Sequence, residues 1–139
     1  MSETVRLIRY EELEKLLVLY KKLNPDDPEF IRDGALDLLW SEIHHDPGLH
    51  YLVLETQGEL VATCALAIIK NLTRNARPYG LIENVVTHPD YRKRGYGTKV
   101  LHKALDIAQE NNCYKVMLLT GSKKEETLRF YEKAGFPEE

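Results

Sequence analysis

The residues best able to do chemistry lie together in VVTHPDYRKRGYGTKVL, Val85 to Leu101. Three successive cations, Arg92, Lys93 and Arg94, stand directly before Gly95, Tyr96, Gly97 and Thr98, and Lys99 follows. Glycine removes the side chain, so main-chain N–H groups can approach a ligand closely. The run leads into a helical pattern, and the first N–H groups of a helix have no partner within it. Those donors and the helix dipole favour a phosphate or diphosphate. The spacing does not match two familiar phosphate loops. There is no G-x-x-x-x-G-K-[ST] here, and GYGTKV places Val100 where a dinucleotide fingerprint needs its third glycine. What remains is R-x-x-G-x-G between a strand and a helix. It reads as an anion site, with a solvated basic turn as the plain alternative.

The rest of the chain must position that loop. Val5 to Tyr10 alternates and predicts a strand. Leu13, Leu16, Leu17 and Tyr20 have helical spacing, with acids early and lysines late, as the helix dipole favours. Leu23 to Phe30 is a turn-rich break, and Ala35 to about His45 predicts a second helix. His50 to Lys70 reads as strand, turn, strand; Asn71 to Gly80 as a loop; Leu81 to His88 as a strand. Leu101, Ala104, Leu105 and Ala108 form a helical stripe between Gly97 and Asn112, and Lys115 to Leu119 is a short buried strand. KEETLRFYEKAGF predicts a closing helix that stops at Gly135. This order specifies an α/β fold with a mixed sheet flanked by helices. The unit from Leu81 to Leu119 should be parallel and right-handed, with the basic loop at the carboxyl end of a strand, where α/β sheets hold ligands. Residues 1–139 read as a single domain.

Composition narrows the partners. The net charge of −3 makes any basic site a local one. The arginines of the Asn71 to Gly80 loop are few and the aromatics do not interleave with a basic run, which argues against nucleic acid. No apolar run approaches ~18 residues, so neither a membrane span nor an export signal is expected. Cys64 and Cys113 sit in or beside apolar runs and read as structural thiols in a reducing, cytoplasmic compartment. His44 and His45 point about 100° apart on a helix, and no metal-ligand spacing is completed around them. In the Asn71 to Gly80 loop, Arg74, Asn75, Arg77 and Tyr79 are candidates to read an acidic or phosphorylated substrate. A solvated loop is the alternative.

VVTHPDYRKRGYGTKVL resembles the acetyl-coenzyme A signature of the GNAT superfamily of N-acetyltransferases, whose core is [RQ]-x-x-G-x-[GA]. LRFYEKAGF, Leu128 to Phe136, resembles that family's closing helix and the turn after it. The resemblance covers nearly the whole chain in element order and is closest to small single-domain members. It implies a mostly antiparallel twisted sheet in which two parallel strands are splayed. It implies that Arg92, Lys93, Arg94, Gly95, Tyr96, Gly97 and Thr98 hold the coenzyme diphosphate. Val85, Val86 and Thr87 would pair with the pantetheine arm, and N–H groups near Val86 would receive the oxyanion. The implied reaction is direct attack of a small molecule's primary amine on the thioester. Tyr131 matches the family's tyrosine at the leaving thiolate. Glu83 interrupts an apolar strand, where partial burial would suit a carboxylate to act as general base, directly or through a water. Asn84 should face the opposite surface by strand alternation. The family pattern departs at Lys124 and Thr127, where asparagine or alanine is usual. The chain stops after the GF turn, so the fold is expected to lack the family's last strand or strands, and a homodimer partner would cover the open edge. A weak acyl-coenzyme A sensing module and a protein or peptide N-acetyltransferase are the alternative functions.

Overall fold

The computed structural model describes residues 2–23, 25–26, 28, 31–119 and 127–129. One sheet carries β1 (Glu3–Leu7), β2 (Leu49–Thr56), β3 (Glu59–Ile69), β4 (Tyr79–Thr87), β5 (Val116–Leu119) and β6 (Thr127–Arg129), side by side in chain order. Neighbours run antiparallel except β4 and β5, which are parallel. Between the strands lie α1 (Leu13–Leu23), α2 (Gly34–His45), a one-turn element α3 (Thr73–Ala76) and α4 (Tyr96–Glu110).

Strand alternation sorts the apolar side chains into two cores. Leu52, Leu54, Cys64, Leu66, Ile82, Val116 and Leu118 gather with Val100, Ala104, Leu105 and Ala108 of α4. Val53 and Leu60 gather instead with Ile8, Leu13, Leu16 and Trp40, beneath α1 and α2. The stripe read from sequence is thus the buried face of α4, and it seats the basic loop at the end of β4.

β1 ends at Leu7, although alternation predicts a strand to Tyr10. An ion cluster turns the chain there. Arg6 donates to both oxygens of Glu12, at 2.9 and 2.8 Å, and to Glu55 at 2.8 Å. Glu12 also accepts the Arg9 N–H at 2.8 Å, which closes a 3-10 turn at Tyr10–Glu12. The Glu12 side chain is only 6% exposed, and Arg6 holds its carboxyl down to about 2 from an ordinary 4.5. A depressed folded pKa contributes stability above the ordinary value and loses it as pH falls through the folded one. Removing Arg6 leaves the enclosed Glu12 with only the Arg9 N–H and a guanidinium 3.8 Å away, at about 2–3 kcal/mol. Arg6→Ala should therefore lower the thermal midpoint by several degrees at pH 7. The gap to wild type should narrow between pH 4.5 and about 2 as Glu12 takes a proton. A pH-independent gap would assign the loss to packing alone.

The chain after β5 departs from the helix its pattern predicts. Residues 127–129 extend as β6, with Arg129 opposite Met117 and Thr127 opposite Leu119. The outer edge of β5 presents main-chain donors and acceptors, and a strand that pairs there satisfies them, overriding the helical period. The edge expected to be open therefore carries a strand. The remainder of that run, Tyr131 included, lies outside the described residues.

Candidate functional site

The middle of β4 is irregular. Ala65 of β3 lies opposite Glu83, and Thr63 lies opposite Val86, so β4 fits one more residue than β3 between the same two pairs. The extra residue coincides with Asn84, whose φ of 56° lies in the left-handed region that asparagine tolerates. Alternation fails at this bulge. Glu83 and Asn84 are both exposed, while Ile82 and Val86 on either side are buried. This corrects the expectation that Glu83 is half-buried in the strand. The parallel pairing with β5 runs from Gly80 opposite Val116 to Ile82 opposite Leu118 and stops there. From Glu83 to Thr87, the β5 side of β4 has no strand partner among the described residues. Val85, Val86 and Thr87 thus border a gap edged with main-chain donors and acceptors.

The basic loop begins where that strand ends. His88 accepts the Asp90 N–H on Nδ1 at 3.1 Å, and Pro89–Tyr91 forms a 3-10 turn. Lys93 at φ 65° and Gly95 at φ 78° then reverse the chain into α4. Tyr96 is buried, and its ring stacks 6.3 Å from that of Tyr91, which anchors the helix start. Gly95 is the N-cap and offers no side-chain cap, and the Lys99 N–H to the Gly95 carbonyl closes the first turn at 3.0 Å. The N–H groups of Tyr96, Gly97 and Thr98 are therefore left for an anion. A Cβ on Gly97 would come within 3.2 Å of Thr87 Oγ1, so the helix start leans closely on the strand end. Arg92, Lys93 and Arg94 are exposed around this cradle, with the Arg94 guanidinium 5.1 Å from the Tyr91 ring centroid. Lys99 pairs with Glu3 of β1 and holds that carboxyl below its ordinary range.

The Arg74 loop sits at the other end of β4. Arg74, Asn75 and Ala76 all have positive φ, so α3 is a left-handed turn. Arg77 donates to the carbonyls of Asn112 and Cys113, both at 3.1 Å, and fastens the loop beneath the end of α4. Tyr79 packs edge-on to Tyr114 at 6.3 Å, and Lys115 lies 5.4 Å from both rings. The structure thus brings Glu83, the Val85–Thr87 edge and the basic loop together. It places Arg77 and Tyr79 in the frame of a more distant corner.

Two thiols lie in the core. Burial pushes Cys64 up to about 12 and Cys113 up to about 11, so neither is a nucleophile at neutral pH. Among the described residues no group of His, Cys, Asp and Glu could hold a metal ion, and no helix is long and apolar enough to cross a membrane.

The fold of this mixed sheet with its flanking helices is shared by solved acetyltransferases. The chain belongs to the acetyltransferase (GNAT) family, whose model matches residues 15–136. It is similar to the glucosamine 6-phosphate N-acetyltransferase of Trypanosoma brucei brucei, 39% identical over 57% of this chain and 52% of that one. The enzyme of the same name from Arabidopsis thaliana is 32% identical over 76% of this chain and 70% of its own length. The crystal structure of the Arabidopsis thaliana glucosamine-6-phosphate N-acetyltransferase superposes with a TM-score of 0.79, at 26% identity, covering 100% of this chain and 94% of that one.

Proposed function

We propose that the chain moves the acetyl group of acetyl-coenzyme A to the primary amine of a small molecule, by direct attack in a ternary complex. The observation that carries this reading is the bulge at Asn84, which ends the β4–β5 pairing and leaves Glu83 beside the opened edge. In this reading residues 1–139 act as one domain. The N–H groups of Tyr96, Gly97 and Thr98 hold the diphosphate, with Arg92, Lys93 and Arg94 around it. The pantetheine arm lies along Val85 to Thr87, and N–H groups near Val86 polarise the thioester carbonyl. Glu83 takes a proton from the substrate ammonium, directly or through a water, because only the free amine is a nucleophile. The amine nitrogen then bonds to the acetyl carbon, the carbon–sulfur bond breaks, the thiolate takes a proton, and the new amide nitrogen releases its extra proton, which makes good the one given to sulfur. Tyr131 is the proposed donor of that proton, by its place in the family pattern. The buried thiols support transfer without an acyl-enzyme.

The relatives named for glucosamine 6-phosphate support a small amine, and an amino-sugar phosphate is the first acceptor to try. Arg74 and Asn75 are the proposed readers of its acidic group, with Arg77 and Tyr79 holding their loop. The test is thiol release from acetyl-coenzyme A across amino sugars and their phosphates, polyamines, amino acids, aminoglycosides and peptides. Saturable release with a small amine is expected. Release with peptides alone, or none above the uncatalysed rate, would refute the reading.

A further inference from the structure

We infer that Tyr51 is a positioning residue for Glu83, its hydroxyl reaching across Ala65 to orient the carboxylate that receives the amine's proton. The inference rests on the acetyl-transfer reading above. Tyr51 of β2 lies opposite Ala65 of β3, and Ala65 lies opposite Glu83 of β4. Directly opposed residues share a face of the sheet, so the three form one row. The middle member carries only a methyl group, so it puts little bulk between phenol and carboxylate.

The Tyr51 ring is held in place. It meets the Trp40 indole edge-to-face, with centroids 5.9 Å apart. The phenol also senses the carboxylate. Burial first, and the negative charge of Glu83 second, push its pKa above the ordinary value. A second phenol arrives from α1. The Tyr20 hydroxyl is enclosed and has no hydrogen-bond partner among the described residues. Burial chiefly, and Tyr51 after it, raise its pKa as well. Two phenols and one carboxylate therefore gather on the α1 and α2 side of the bulge. No local pattern marks Tyr51, because its relation to Glu83 exists only across two strand pairings.

A purely structural Tyr51 would pack on Trp40 and do no more. Tyr51→Phe separates the two roles, since the ring and its packing are retained. The loss expected is about tenfold in kcat, within the range of coupling between neighbouring groups. The KM for acetyl-coenzyme A and the thermal midpoint should stay at their wild-type values. In a Glu83→Gln background the same substitution should leave kcat unchanged, because the group it acts through is gone. Independently of turnover, NMR titration of ring-labelled tyrosine should show the Tyr51 phenol ionising at lower pH in Glu83→Gln than in wild type. An unchanged kcat in Tyr51→Phe, an equal loss in both backgrounds, or a phenol indifferent to Glu83 would each overturn the inference. Absence of turnover with every amine would remove the acetyl-transfer reading and this one with it. Turnover with an indifferent Tyr51→Phe would remove this one alone.

Discussion

Glu83→Gln should lower kcat/KM for the best amine by about 100- to 1000-fold, the range expected when a positioned general base is removed. Its affinity for acetyl-coenzyme A should hold within about twofold, because the diphosphate cradle and the Val85–Thr87 edge are main-chain features that the substitution leaves in place. The amide is nearly isosteric with the carboxylate, so the bulge at Asn84 should survive. What disappears is a proton acceptor beside the gap. That gives the variant a particular pH signature. As pH rises toward the substrate amine's own pKa, more amine arrives already neutral and the base matters less. The ratio of wild-type to variant rates should therefore shrink steadily with pH. Enzyme assays at several pH values with calorimetry of acetyl-coenzyme A binding check both parts. A loss under tenfold, or a ratio that does not change with pH, would place the base elsewhere.

Gly95→Val should weaken acetyl-coenzyme A binding by about 30-fold or more, equivalent to roughly 2 kcal/mol. The residue sits at φ 78°, where a β-branched side chain is strongly disfavoured. A Cβ there would meet no heavy atom within 4 Å, so the cost is conformational and not a clash. The loop can relieve it only by turning Gly95 out of the left-handed region. That would re-aim the N–H groups of Tyr96, Gly97 and Thr98 away from the diphosphate. The same reasoning makes Gly95→Asn a mild change, since asparagine tolerates this conformation. Titration calorimetry on both variants separates the two cases. Equal binding by the Val and Asn variants would show that the backbone angle does not set the cradle.

Much of this site was legible in the sequence, because much of it is local. The basic residues, the two glycines and the helix start are contiguous from Arg92 to Thr98, and the Leu101, Ala104, Leu105, Ala108 stripe faces the sheet. The strands on either side are legible as short apolar, β-branched runs. The misreadings arose where a single angle or a distant partner decides. An apolar strand context suggests a half-buried Glu83, but beside the positive φ at Asn84 it is exposed. The partners of Arg77, the carbonyls of Asn112 and Cys113 just past the end of α4, are equally beyond local sequence. The end of β1 at Leu7 reflects Arg6 gathering Glu12 and Glu55, a choice no periodicity contains. At β6, pairing with β5 prevailed over a helical pattern. The row from Tyr51 to Glu83 depends on strand register, which is not written in any one segment.

The measurement that tests the central claim most directly follows the acetyl group itself. The protein is incubated with acetyl-coenzyme A labelled in the acetyl carbon, first alone and then with the amine that gives the fastest thiol release. Direct transfer across the β4 gap predicts unlabelled protein in the first step. In the second it predicts label on the amine in equal amount to the coenzyme A released. Label held by the protein before the amine is added, or coenzyme A released without labelled amine, would contradict the account.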